Sequence, residues 1–486
     1  MFVKRIKLTN FKSFSGESEW LEFNTPNNEA GSGLNILVGE NNTGKSTVFE
    51  AVDFLRNGSQ KSPLDLRNKR ADDEDDVRVE VEFEGEIESA INGFSQPNKV
   101  DVFQRYIYEN EERSRIRFSR SLSSIRAIEL WSNEDSEYRN ESGIDAPVKK
   151  LFEMNFVWAN TNPEDQTSFG ATTVCGNLLK GIAKDFTTTD DYQAFSEHFH
   201  RTFNAENSAL REKLRDIEER TQAVFKQQFG IANIHFRFNE LDINSFLKKT
   251  DIDIDDGTKT PFQEKGSGMQ RSVALALLQV YAEELTKHPD NDELKKPFFL
   301  FVDEPELCLH PLGQRSLLQA LLELSKTKQI FLATHSPYFL TSEYLNKMGL
   351  FVFKKTAESS SFTKLSQKTG LFPWSPTWGE INFFAFNLPT VEFHNELYGY
   401  LQEKNNCNTI NDFEEILVSK DVEKTKEWMR EQNGRMHNPE EVTVQTFIRN
   451  KIHHPENQTM SLVNYTDEEF GSSIEQMIGI IRDVIS

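Results

Sequence analysis

The stretch Gly39-Glu40-Asn41-Asn42-Thr43-Gly44-Lys45-Ser46-Thr47 has the residue types and the spacing to hold a chain of phosphates. Gly39 and Gly44 let the backbone curl until several N–H groups point inward. Lys45 supplies a point charge to the β- and γ-phosphates, and Ser46 offers a hydroxyl to Mg²⁺. Asn41, Asn42 and Thr47 belong to the same turn and to the start of the helix after it. Far downstream, the apolar run Phe298–Val302 ends in Asp303-Glu304. Asp303 is placed to hold the Mg²⁺ shell, and Glu304 to orient or deprotonate an attacking water. A third apolar run, Ile330–Ala333, leads to Thr334-His335, where a histidine reads as a sensor of the terminal phosphate. Between the first two sites lies Lys265-Gly266-Ser267-Gly268-Met269-Gln270-Arg271, small residues ahead of the helical stretch Ser272–Leu285. Such a helix start makes an anion site.

These side chains need rigid elements to present them. Leu34–Val38, Phe298–Val302 and Ile330–Ala333 are short and almost wholly apolar, the pattern of strands covered on both faces of a parallel sheet. Thr47–Leu55 continues as a helix. Residues 1–145 otherwise read as an antiparallel sheet, with strands at Phe2–Phe11, Val77–Glu84, Val102–Tyr108 and Arg115–Ser119. Strict alternation sends Val77, Val79, Val81 and Phe83 to one buried face. Residues 146–235 carry helical periodicity, with Asn207–Gln228 as an amphipathic helix, and read as a helical insert. Residues 236–384 return to the α/β pattern. Residues 385–486 read as a helical domain broken at 405–411, 434–439 and 455–459. The expected fold class is therefore α/β: an antiparallel sheet beside a parallel core, with a helical insert and a helical C-terminal domain.

Composition narrows the setting. The chain has 486 residues, with 55 Lys+Arg against 77 Asp+Glu and a net charge of −22. That balance argues against a simple coat for nucleic acid or for an anionic membrane. No apolar run approaches the roughly 20 residues of a membrane span. The opening Met1-Phe2-Val3-Lys4-Arg5 shows no apolar signal segment, and Cys175, Cys308 and Cys407 form no metal or disulfide pattern. A cytoplasmic protein with no membrane partner is expected.

Taken in order, these motifs resemble the ABC-type ATPases of the RecF/SMC/OLD-like branch, which include AAA-family ATP-binding proteins of bacterial anti-phage defence systems. Ile6–Phe14 resembles the first strand of those heads. Gly39–Ser46 matches Walker A, Ser267–Gln270 the signature motif and Phe298–Glu304 Walker B. Glu306–Pro311 resembles the D-loop, and His335 the switch histidine. The resemblance implies ATP and Mg²⁺ as cofactors and ATP hydrolysis served by Lys45, Glu304 and His335. It places Asn10, Lys12 and Ser13 near the nucleotide. It also implies a homodimer or larger assembly with composite sites, in which Ser267 and Gly268, with Gln270 beside them, reach the ATP of a second copy. The family's compact members suggest a sensor or scaffold that controls a separate nuclease or toxin. OLD-type nucleases carry a Toprim domain after the ATPase, and residues 385–486 contain no Asp-x-Asp strand end that would fit one.

Two alternatives stay open. One is a DNA-maintenance ATPase of RecF/SMC type that binds DNA ends or gaps, with nucleic acid as partner. The other rests on Arg449-Asn450-Lys451-Ile452-His453-His454, which resembles the R-N-x-x-x-H signature of HEPN-type ribonucleases. Arg449, Asn450 and His454 would then be the ribonuclease set, and the chain an ATP-gated nuclease. Helical spacing puts His453 on the Arg449 face, whereas Pro455 ends the helix near His454 and frees that side chain. The same residues read, in preference, as ties between a helix end and its loop. Arg113, Arg115, Arg117, Arg120 and Arg126 form the densest basic stretch and read either as a solvated strand face or as a phosphate contact. Asp251–Gly257 reads as a strand entering a turn, and Asp72–Asp76 as a solvated loop.

Overall fold

Alternating sequence and wholly apolar sequence build two different sheets. In the computed structural model the strands of interest are, in chain order, β1 (Phe2–Thr9), β2 (Leu21–Glu22), β3 (Leu34–Gly39), β4 (Arg78–Glu84), β5 (Tyr108–Asn110), β6 (Arg113–Ser121), β7 (Glu129–Ser132), β8 (Glu137–Asn140), β9 (Glu153–Val157), β10 (Asp253–Asp255), β11 (Lys259–Pro261), β12 (Phe298–Asp303), β13 (Gln329–Ala333), β14 (Gly349–Lys355) and β15 (Ser360–Leu365). The structure describes every residue except 59–61, 96, 124–126, 160–185, 204, 206, 229–232, 237, 239–250, 267, 271, 278–279, 281–296, 341–342, 433–434 and 486. The chain divides into two units. One comprises Met1–Ala159, Asp290–Glu306 and His310–Ser486, and the other Asn160–Pro289 and Leu307–Leu309.

In the first unit, an antiparallel sheet runs β2-β1-β4-β6-β7-β8, with β5 also paired to β6. A second sheet runs β15-β14-β3-β13-β12-β9. It is parallel throughout except for the β14–β15 edge pair. The fold class expected from sequence is the one observed. Helix α1 (Lys45–Asn57) buries Val48, Phe49, Val52 and Leu55 in the same cluster as Ile6, Val81 and Phe118 of the antiparallel sheet and Phe301 and Phe331 of the parallel one. Phe156, Phe301 and Phe331 stack in a row, 4.6 and 4.5 Å apart. Gln329 joins the two sheets, since its side chain accepts from Val3 N–H at 2.8 Å and donates to Val3 C=O at 2.7 Å.

Several local expectations need correction. Val102–Tyr108 is not a strand. Pro97 opens a helix that runs to Gln104 and buries Phe103, and pairing resumes only at β5. Glu153–Val157, within the segment expected to be helical, is instead the edge strand β9 beside β12. The charged face of β4 is buried as well. Glu80, Glu82 and Glu84 are buried, as are the valines opposite. Burial alone would raise the Glu82 carboxyl, but hydrogen bonds from Arg5, Tyr108 and Arg117 outweigh it and hold it below its ordinary value. Arg115 bonds Glu82 at 3.2 Å and Glu84 at 2.8 Å, and the Arg117 guanidinium lies over Trp20 and Trp131. Arg113 pairs with Glu84, and Arg120 is buried against Leu55 C=O and Asp145. Arg115 and Arg117 thus lie buried or half-buried against the carboxylates of β4 rather than on a solvated face, Arg113 pairs with Glu84 while remaining exposed, and Arg120 pairs with Asp145 of the helix Asp145–Leu151. Arg126 lies outside the described residues.

The C-terminal helices Val391–Lys404, Ile410–Ser419, Val444–His453 and Asp467–Ile485 enclose Phe393, Leu397, Phe413, Leu417, Ile448 and Met477. Thr377 with Glu380, and Thr409 with Asp412, form capping boxes that fix two helix starts. This region also holds a strand pair, Lys424–Trp428 with Glu440–Thr443, which its helical periodicity hides. In the second unit, helices Asp190–Phe203 and Ala209–Gln228 accompany the hairpin β10–β11, whose turn carries Gly257. No helix among the described residues is long and apolar enough to cross a membrane.

Candidate active site

Register brings the chemistry-bearing residues to one edge. Asp303 pairs with Ala333 across β12–β13, Ala333 with Leu37 across β13–β3, and Gly39 with Phe353 across β3–β14. The carboxyl ends of four neighbouring strands are thus level, which is where parallel sheets place their ligands. Two glycines let the loop after β3 curl there. Gly39 has φ +149°, and a Cβ on it would sit 2.3 Å from Phe353 C=O. Gly44 has φ +100°, and a Cβ would meet Ser13 Oγ at 2.7 Å and Ser360 Oγ at 3.0 Å. No other residue fits either position without displacing the loop. The result is an open cleft of about 550 Å³, lined by Lys12, Ser13, Asn41–Thr47, Glu50, Glu304 and Lys355.

Within the cleft Lys45 is buried, and its ammonium donates to Gly39 C=O at 3.0 Å and Glu40 C=O at 2.9 Å. Burial lowers the Lys45 ammonium to about 8, against the pull of Glu304, Asp303 and Glu306. Ser46 Oγ donates to Asp303 Oδ1 at 2.9 Å. Burial raises the Asp303 carboxyl to about 6, against the Ser46 hydrogen bond. Glu304 has φ +47°, an uncommon conformation for a non-glycine residue. Its N–H donates to Ala333 C=O at 2.8 Å, and its carboxylate approaches His335 Nε2 at 3.5 Å. Burial and the charge of Lys45 push the His335 imidazole below its ordinary value, with Glu304 pulling the other way. The ring is therefore neutral near pH 7 and able to share a proton with a neighbour.

This arrangement suits a triphosphate and a hard cation. Inward backbone N–H groups, the N-terminus of α1 and a buried ammonium complement phosphate charge. A hydroxyl and a carboxylate oxygen 2.9 Å apart are the donor types that Mg²⁺ takes. Comparison with known proteins agrees with this chemistry. The AAA ATPase domain family matches residues 1–340. The chain belongs to this family.

Among curated relatives, this AAA ATPase-domain protein is similar to the Old nuclease of Escherichia phage P2, 24% identical over 362 residues that cover 70% of this chain and 57% of that protein. It is also similar to Endonuclease GajA of Bacillus cereus (strain HuB5-5), 20% identical over 416 residues that cover 71% and 59%. The chain spans less than two thirds of the length of both. Among solved structures, an Smc head bound to the C-terminal winged-helix domain of ScpA matches 75% of this chain and 98% of that one, at 16% identity and a TM-score of 0.43.

Other residues singled out in the AAA ATPase-domain sequence fall elsewhere. Asn10 does not line the cleft, because its side chain donates to Asp76 C=O and accepts from Gly16 N–H. Lys12 lines it, paired with Glu50. Ser13 approaches Thr47 Oγ1 at 3.4 Å. Ser267 lies outside the described residues. Gly268 and Gln270 belong to the second unit, where the Gln270 amide donates to Phe262 C=O and Gln263 C=O at 3.1 Å each. In the C-terminal region, Arg449 Nη1 donates to Asn450 Oδ1 at 3.1 Å, Asn450 is buried, and His454 follows the helix end with Nδ1 3.1 Å from Glu456. Sequence reading missed Glu50 and Lys355, which line the cleft. Glu50 was detectable as the acid four residues after Ser46 on the loop-facing turns of α1. Lys355 carries no local signal.

Proposed function

We propose that this chain binds and hydrolyses ATP as an ABC-type, RecF/OLD-like ATPase. In this reading it is the sensor or scaffold subunit of a prokaryotic anti-phage defence system and controls a partner nuclease or toxin. The observation that carries the proposal is the gathering of Lys45, the Ser46–Asp303 pair, Glu304 and His335 at the aligned ends of β3, β12 and β13. Lys45 would exchange its two loop carbonyls for β- and γ-phosphate oxygens. Ser46 and Asp303 would hold Mg²⁺, which neutralises charge on those phosphates when bound. Glu304 would take a proton from the attacking water, and His335 would hold the terminal phosphate and Glu304 in register. The defence role draws on the resemblance of the motifs to anti-phage ATPases, beside two curated relatives that are a phage nuclease and an endonuclease.

Two ATP molecules would lie between two copies of the chain, each bound by the loop of one copy and by Ser267 and Gly268 of the other. The test is nucleotide titration with phosphate release. Lys45→Ala should weaken ATP binding by about tenfold to a hundredfold, the worth of a charge-assisted contact. Glu304→Gln should keep binding, lose about a hundredfold in turnover and elute as a dimer with ATP. Turnover by Glu304→Gln at the wild-type rate would remove Glu304 from its role.

A further inference from the structure

The chain leaves β12 at Glu304, beside the end of β13, and this turn gives two acids two different tasks. The positive φ at Glu304 sends its carboxylate toward the cleft. Pro305 follows, and the next side chain, Glu306, points back to the end of β13. There Glu306 Oε1 accepts the backbone N–H of His335 at 2.6 Å. The Glu306 carboxyl does not line the cleft. Burial raises it above its ordinary value, and the His335 N–H pulls it back down.

We propose that Glu306 is a positioning residue that acts through His335, an inference that rests on the ATPase reading above. A histidine at a strand end has one free backbone N–H and two free side-chain torsions, so its ring points where its backbone is held. Glu306 fixes the backbone. Phe386, the last residue of the helix Trp378–Phe386, packs on the ring with centroids 6.3 Å apart. With both restraints the imidazole Nε2 faces the Glu304 carboxylate. The downstream turn keeps an anchor that does not involve Glu306, Ser336 Oγ to Gln314, while the Thr334 side chain, which accepts Ser336 N–H at 3.0 Å, also hydrogen-bonds Glu306. Loss of Glu306 therefore frees His335 without unravelling the segment. A carboxylate is suited to this task, because a charged acceptor makes a shorter and stronger bond to an N–H than a neutral one.

The experiment compares ATP affinity and kcat for the full chain as wild type, Glu306→Ala, Glu306→Gln, His335→Ala and the His335→Ala/Glu306→Ala double variant. Glu306→Ala should leave ATP affinity within about twofold and lower kcat by about tenfold or more, the scale of a misplaced catalytic group. Glu306→Gln keeps an acceptor oxygen and should restore kcat to within about threefold of wild type. In the His335→Ala background, removing Glu306 should cost nothing further, since the two act as one unit. Additive losses in the double variant, or equal damage from Gln and Ala, would make Glu306 a stability residue and overturn the inference. If Glu306→Ala fails to fold, Glu306→Leu, which fills the space but offers no acceptor, replaces it in both the single and the double variant. A wild-type chain that hydrolyses no ATP would instead sink the ATPase reading itself, so the two failures are distinguishable.

Discussion

One hydroxyl and one carboxylate, 257 positions apart in sequence, meet at 2.9 Å. Each could be found in the sequence, since Ser46 completes a contiguous glycine-rich motif and Asp303 ends an apolar strand. Their contact could not, because it depends on the register of β12 against β13 and of β13 against β3. The same holds for Glu306, whose type is ordinary and whose bond to His335 N–H exists only after the turn at Glu304. Asn10 shows the opposite case: it lies in a suggestive segment, yet its side chain is committed to Gly16 in the turn after β1 and to Asp76 ahead of β4. The Ser46–Asp303 pair yields a prediction at this scale. Ser46→Ala should leave ATP affinity in EDTA unchanged and erase about tenfold of the gain that Mg²⁺ brings, one contact to a charged group. Titration with and without Mg²⁺ reads the difference. An unchanged Mg²⁺ gain would take Ser46 out of the metal shell.

Elements were legible where the pattern had one cause. The all-apolar runs marked β3, β12 and β13, and alternation marked β1, β4 and β6. It failed where two causes compete. Pro97 and the apolar residues after it satisfy a helix as well as a strand, and tertiary packing of Phe103 chose the helix. The short run Glu153–Val157 lacks turn signals, and only pairing with β12 makes it a strand. Burial of Glu82 and Glu84 was invisible because it requires arginines from two other strands, and that of Glu80 because it requires the Tyr138 hydroxyl. The C-terminal helices carry a second kind of hidden group. His394, on Val391–Lys404, is fully buried with Nε2 3.1 Å from Ser473 Oγ on Asp467–Ile485. Burial, reinforced by nearby His453, lowers its imidazole from 6.5 to about 3. Below pH 6.5 the unfolded chain takes up a proton that the folded chain refuses. Stability from this group is therefore complete above pH 6.5 and falls by about 1.4 kcal/mol per pH unit as pH drops toward 3. His394→Gln should flatten that part of the acid limb in urea unfolding between pH 7 and pH 5. An identical slope in the variant would assign the acid sensitivity elsewhere.

For the whole molecule, two separate units carry the two halves of the proposed chemistry. The phosphate loop, the acids and His335 belong to one, and Gly268 and Gln270 to the other. In the composite-site reading, each ATP is completed by a second copy of the chain. Mixing two inactive variants tests this most directly. Lys45→Ala disables the loop of its own copy, and Ser267→Arg blocks what that copy offers its neighbour. A mixed dimer contains one intact site, with the loop of the Ser267→Arg copy and the unaltered Ser267 of the Lys45→Ala copy. ATP hydrolysis should therefore be absent from either variant alone and reappear on mixing, in proportion to mixed dimer formed. A mixture as inactive as its components, beside a wild type whose rate per chain is constant on dilution, would contradict the account.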